Sequence, residues 1–71
     1  MPTNNKIRED TVQQIKKILK NAPMDINELT GQLFVFNGWR RQTNRDIILD
    51  MKWANQLNLD SYTGKVSLRK I

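Results

Sequence analysis

Arg40, Arg41, Gln42, Thr43, Asn44 and Arg45 follow one another without interruption, and together they supply guanidinium forks, carboxamides and a hydroxyl. Such groups hydrogen-bond to phosphate oxygens and base edges: Arg pairs bidentately with guanine, and Asn or Gln with adenine. Lys52 and Gln56 continue the set, because at about 100° per residue they share one side of a helix with Arg45. Lys65, Arg69 and Lys70 add three cations near the C-terminus, where residues 61–71 contain no acid. Bond-breaking chemistry has much less to work with. The chain has neither His nor Cys, which removes the usual zinc-ligand sets and the usual nucleophile and base pairs. No glycine-rich phosphate loop is present. Asp46 and Asp50 lie one helical turn apart, but Asp46 is better placed as a capping residue. The chain is therefore expected to be no enzyme, with no metal, cofactor or small-molecule ligand.

The elements that hold these groups must fit in 71 residues. A chain of that length makes one domain that buries only about 60% of its unfolded surface. With no cysteine for a disulfide, stability must come from helix packing, a sheet or a second subunit, and a homodimer is expected. Formal charge is +5 and the pI is near 10, which suits nucleic acid, an anionic membrane or an acidic protein as partner. The charge is also patterned. Residues 1–21 hold five bases and two acids, residues 22–39 two acids and no base, and residues 40–60 four bases and three acids. Both ends and the Arg40–Arg45 approach are thus basic and the middle is not, as for a surface with one face toward phosphate. The N-terminus lacks an apolar run of signal-peptide length, and no stretch approaches the ~20 apolar residues of a membrane span. A cytoplasmic location is expected, nucleoid- or nucleus-associated if the partner is DNA.

Residues 1–5 read as a flexible end and residues 6–71 as the domain. A first helix is expected from Lys6 to Asn21, with Ile7, Thr11, Val12, Ile15, Ile18, Leu19 and Ala22 as its apolar stripe. Lys16, Lys17 and Lys20 complement the negative end of its dipole, and Pro23 stops it. Asp25 caps a second helix, with Glu28 closing a capping box and Met24 and Leu29 as a hydrophobic staple. Phe34-Val35-Phe36 either ends that helix or enters a short extended segment. Asn37-Gly38 marks a turn, and Trp39 closes the core over it. A third helix spans Thr43–Asn58, with Thr43 as N-cap, Asp46 reaching back, Asn58 as left-handed terminator, and Ile47, Met51, Ala54 and Leu57 facing the core. The helix N-terminus, with its unpaired N–H groups, is then made more basic by Arg40 and Arg41. Leu59–Ser61 and Lys65–Lys70 alternate as two strands around Tyr62-Thr63-Gly64, with Val66 and Leu68 inward.

Three helices and a terminal hairpin follow the order of a winged helix-turn-helix domain, and Ile47, Met51, Ala54, Leu57, Asn58 and Leu59 fall on a spacing common in its third helix and wing. The chain resembles that superfamily over about residues 8–71, with Gly64 as the wing glycine. The resemblance implies an α+β fold and binding of double-stranded DNA by a small transcriptional regulator. The third helix would enter the major groove and the 59–71 hairpin would lie along the backbone or minor groove. Arg45, Lys52 and Gln56, with Asn44 at the helix start, would meet base edges or adjacent phosphates, and Ile48 a thymine methyl. Arg40, Arg41, Lys65, Arg69 and Lys70 would hold phosphates, with Gln42 and Thr43 beside them. Two features depart from the plainest members. Phe34–Gln42 is long and apolar enough either to hold a strand pairing with the wing or to reshape the approach of the third helix, and Ile48, Leu49 and Trp53 lie off the core stripe. For Leu49 and Trp53, added core or dimer burial is expected. The alternative is a winged-helix assembly module using Ile48, Leu49 and Trp53 as its interface.

Overall fold

The computed structural model describes residues 3–69, with side chains from Lys6 onward. Helix α1, Thr3–Asn21, begins three residues before the expected Lys6; Met1 and Pro2 lie outside the described residues. Ile15 and Leu19 are buried, Val12 and Ile18 pack beside them, and the expected Ala22 is exposed. Thr11 is fully buried because its hydroxyl donates to the Ile7 carbonyl at 2.8 Å, which satisfies it inside an apolar face. Pro23 then forces the chain out of the helix into an extended stretch.

That stretch becomes a strand, β1, Met24–Asp25. The extra strand expected within Phe34–Gln42 is therefore found earlier in the chain, where Asp25 already has the extended backbone of an N-cap, with φ −61° and ψ 139°. Capping and strand pairing coincide. Helix α2, Ile26–Asn37, starts with Asp25 Oδ1 accepting from the Asn27 N–H at 2.8 Å. The Ile26 N–H goes to the Gly64 carbonyl at 2.8 Å, and no hydrogen bond from Glu28 closes a box among the described residues. Phe34, Val35 and Phe36 remain helical. Gly38 ends the helix at φ 74°, its N–H returning to the Phe34 carbonyl at 2.8 Å, in a conformation that glycine adopts without strain.

Helix α3 spans Arg41–Trp53, earlier at both ends than the expected Thr43–Asn58. Its N-cap is Arg40, which gives no side-chain capping bond. Thr43 is thus inside the first turn, and Asp46 accepts from Gln42 Nε2 at 3.1 Å instead of closing a box. The left-handed terminator is Asn55, with φ 63°, and not Asn58. The Gln56 N–H bonds the Met51 carbonyl and the Asn55 N–H the Lys52 carbonyl, a Schellman closure. Ala54 is left exposed rather than in the core, and Gln56 and Leu57 fall outside the helix.

Leu57 is nevertheless buried, as the first residue of β2, Leu57–Leu59. It pairs antiparallel with β3, Lys65–Leu68, in the register Leu57↔Leu68, Asn58↔Ser67 and Leu59↔Val66. β3 also pairs with β1, Met24↔Val66, giving the order β1-β3-β2. The loop is tight: Asp60 Oδ1 accepts from Tyr62 N at 2.9 Å, and Gly64 N donates to the Asp60 carbonyl at 2.7 Å. Lys65 is exposed and Val66 buried, but Ser67 and Leu68 are both half-buried, so the expected alternation shows only in the first half of β3, and the expected strand Leu59–Ser61 gives way to one that starts two residues earlier. One core joins Ile15, Leu19, Leu29, Leu33, Ile47, Ile48, Met51, Leu57 and Val66, and Trp39 packs against it. The result is an α+β fold of winged-helix-like layout, its wing following the three helices. Among the described residues no helix is long and apolar enough to cross a membrane.

Candidate nucleic-acid interface

The turn between α2 and α3 decides what α3 presents. Asn44, expected at the base edges, is 0% exposed. Its Oδ1 accepts from Asn37 Nδ2 at 2.8 Å and its Nδ2 donates to the Trp39 carbonyl at 3.2 Å. Asn37 Nδ2 also donates to the Thr11 hydroxyl at 2.9 Å, and Asn37 Oδ1 accepts from the Trp39 N–H at 2.8 Å. This polar knot ties α1, the turn and α3 together and fixes the rotation of α3. Ile48 is consequently also 0% exposed. Neither Asn44 nor Ile48 can reach a ligand, and an assembly surface through Ile48 is excluded with them.

With Asn44, Ile47, Ile48 and Met51 inward, the outer face of the first turns carries Arg40, Arg41, Gln42 and Thr43, all exposed. Arg41 and Arg45, one turn apart, lie along the edge next to α2. The Arg41 guanidinium runs over Gly31, 3.4 Å from where a Cβ would stand. Arg45 Nη2 donates to Asn27 Oδ1 at 3.0 Å, while its Nε is buried without a protein partner among the described residues. Asn27 sits in the first turn of α2, which the Ile26–Gly64 bond joins to the wing loop, and Lys65 is exposed beside that loop. Arg40, Arg41, Gln42, Thr43 and Arg45 thus share the start of α3, and the Asn27–Ile26–Gly64 link leads from Arg45 to Lys65, with Asp25 paired opposite Lys65 and Glu28 exposed beside Asn27. The Arg45 fork, held against α2 by its bond to Asn27, favours a planar, bidentate acceptor such as phosphate or guanine, and Arg41 beside it is free to follow.

The remaining candidates are elsewhere. Lys52, half-buried, holds its ammonium 5.1 Å from the centre of the Trp53 ring. Gln56 is exposed beyond the helix, and Arg69 Nη1 donates to Asn55 Oδ1 at 3.1 Å. Arg69 is thus at the end of β3 away from the wing loop, roughly 13 Å along the strand from Lys65. Lys70 lies outside the described residues. Leu49 is half-buried and Trp53 77% exposed, so Trp53 adds nothing to the core.

Sequence reasoning misses Arg8, which bonds Asp50 at 2.7 Å across 42 residues, Asn27, whose partner Arg45 is 18 residues away, and the bonds of Asn37 to Thr11 and Asn44, 26 and 7 residues away. The Arg8–Asp50 pair offsets one of the two acids on the outer side of α3. Arg8 also lines a depression of about 760 Å3 together with Trp39, Arg40, Thr43 and Asp46. Comparison of the chain with protein-family models, curated proteins and solved structures returns no match.

Proposed function

We propose that the chain binds double-stranded DNA and serves as a small transcriptional regulator rather than a catalyst. The observation that carries this is the Arg40, Arg41 and Arg45 set on the first two turns of α3, with Gln42 and Thr43 exposed among them. Arg45 bonds Asn27 in the first turn of α2, whose start is joined through Gly64 to the Lys65 end of the wing. In this reading the N-terminal half of α3 enters the major groove, Gln42 and Arg45 meet base edges, and Arg40, Arg41 and Lys65 hold phosphates. Asp46 repels phosphate, which places the backbone contacts on the Arg41–Arg45 edge. An amide NMR titration with an arbitrary duplex at low and moderate salt tests this. Shifts at Asn27, Arg40–Arg45 and Thr63–Lys65 that fade with salt are expected. A folded protein that shows none at low salt would sink the proposal.

Self-association is a second reading, and a specific observation favours it. Phe34, Val35 and Phe36 on α2 are 53%, 85% and 47% exposed, a run of apolar groups rarely left to water without use. Sedimentation that gives a monomer at tens of micromolar would remove this reading.

A further inference from the structure

The other end of α3 carries a second set of groups that the duplex reading does not use. Trp53 stands 77% exposed where the helix stops. The Lys52 ammonium occupies one face of its ring at 5.1 Å, and that degree of exposure leaves the other face open. The left-handed turn at Asn55 brings β2 back alongside, and a depression of about 260 Å3 opens between helix end and sheet. Leu59, over the buried Leu57, gives it apolar surface, Asn55 and Asn58 supply carboxamides, and Lys52 and Arg69 supply two cations with no acid among the lining residues. Arg69 is held in place, its N–H on the Gln56 carbonyl at 3.2 Å and its Nη1 on Asn55 Oδ1 at 3.1 Å.

We infer that this depression takes an unpaired nucleotide, with the base stacked on Trp53, its edge met by Asn55 or Asn58, and the phosphate held between Lys52 and Arg69. The combination selects the ligand. A base has a π-face for the indole, polar edges for carboxamides and an attached anion for the cations. Within a duplex both faces of a base are covered by its neighbours, so only a single strand, a frayed end or an extruded base offers one. An apolar protein surface would offer no anion to Lys52 and Arg69 and no hydrogen bond to the Asn58 carboxamide. The site stands apart from the arginine edge and does not depend on it.

The test uses Trp39→Phe protein, in which Trp53 is the only indole, with two DNA probes: a ten-residue oligothymidylate and a G·C-ended blunt hairpin whose loop is a base-free linker. Oligothymidylate is expected to quench Trp53 fluorescence. Trp53→Ala is expected to weaken its binding, followed by anisotropy of a labelled strand, by at least fivefold, the low end of base–aromatic stacking. Trp53→Tyr should restore most of the loss, and hairpin binding should stay within twofold throughout. Oligouridylate as a third probe separates RNA from DNA as the source of the strand. The inference is overturned if oligothymidylate does not bind or if Trp53→Ala changes its affinity less than twofold. An equal loss on the hairpin would overturn it too, as would sedimentation showing that Trp53 mediates self-association instead.

Discussion

Asn37 Nδ2 donates to Asn44 Oδ1 at 2.8 Å, joining the last residue of α2 to the first turn of α3 inside the core. Removing one partner of such a pair strands the other. Asn44→Ala leaves the Trp39 carbonyl and part of the Asn37 amide unsatisfied, an expected loss of about 1–3 kcal/mol. In a domain this small that lowers the melting temperature by several degrees. Thermal denaturation followed by circular dichroism checks it, and an unchanged transition would mean that Asn44 faces solvent.

Ile48 gives a sharper contrast between core and ligand surface. As a fully buried residue, Ile48→Ala should cost about 2–5 kcal/mol, a large part of what a small domain has. Leu49→Ala, at a half-buried neighbour, should cost clearly less. Chemical denaturation of both variants measures the difference. Equal losses would place Ile48 outside the core.

That Ile48 reads from the sequence as a surface residue has a physical origin. A stripe through Ile47, Met51, Ala54 and Leu57 assumes one continuous helix, but the helix ends at Trp53 and Leu57 is buried from a strand. Including two residues that lie beyond the helix, and omitting the polar Asn44, moves the apparent centre by roughly 60°. Local chemistry is readable where one residue decides the outcome: Pro23 ending α1, Asp25 capping α2, Gly38 ending it, Gly64 closing the wing loop. The start of α3 is not. Thr43 with Asp46 has the pattern of a capping box, yet the helix starts two residues earlier, with Asn44 turned inward by the Asn37 bond that only the folded chain makes. The same limit applies to the site. Arg40, Arg41 and Lys65 are legible as cations, whereas the Arg45–Asn27 and Arg8–Asp50 bonds join residues 18 and 42 positions apart.

Two glycines should respond oppositely to alanine. Gly31 is inside α2, and a Cβ there would meet only the Arg41 guanidinium at 3.4 Å, the end of a flexible side chain. Gly31→Ala should therefore raise stability by up to about 1 kcal/mol through helix propensity. Gly38 has open space around it but φ +74°, so Gly38→Ala should destabilise by about 1 kcal/mol through the backbone alone. The pair is measured by thermal melts. A falling melting temperature for Gly31→Ala would mean that Arg41 cannot move aside.

The wing loop should be acid-sensitive. The backbone N–H groups of Tyr62 and Thr63 donate to the Asp60 carboxylate and hold its pKa below the usual value. A carboxyl lowered on folding contributes stability above its unfolded pKa of about 3.9, and that contribution is lost as pH falls through the lower folded value. Asp60→Asn keeps an acceptor but not the charge. It should melt below the parent at neutral pH, and the gap should close as the pH drops below about 4. A gap of constant size from pH 7 to pH 2 would remove Asp60 as the cause.

Salt dependence separates the two ends of α3. On B-form DNA, removing one cation that neutralises a phosphate reduces the slope of log affinity against log salt by about 0.9. If duplex DNA lies along the arginine edge, Arg41→Ala and Lys65→Ala should each flatten that slope by about this much on a blunt duplex, whatever its sequence. Arg45→Ala should in addition change the preference among sequences, because its guanidinium is held against Asn27 in a fixed direction and can read a base edge. Arg69→Ala should leave the duplex slope unchanged, since Arg69 is bonded to Asn55 at the far end of β3. Anisotropy titrations over a series of salt concentrations distinguish these outcomes. A slope that also flattens for Arg69→Ala would mean that DNA touches the wing along its whole length, and a slope unchanged by Arg41→Ala would mean that the arginine edge of α3 is not where the duplex is read.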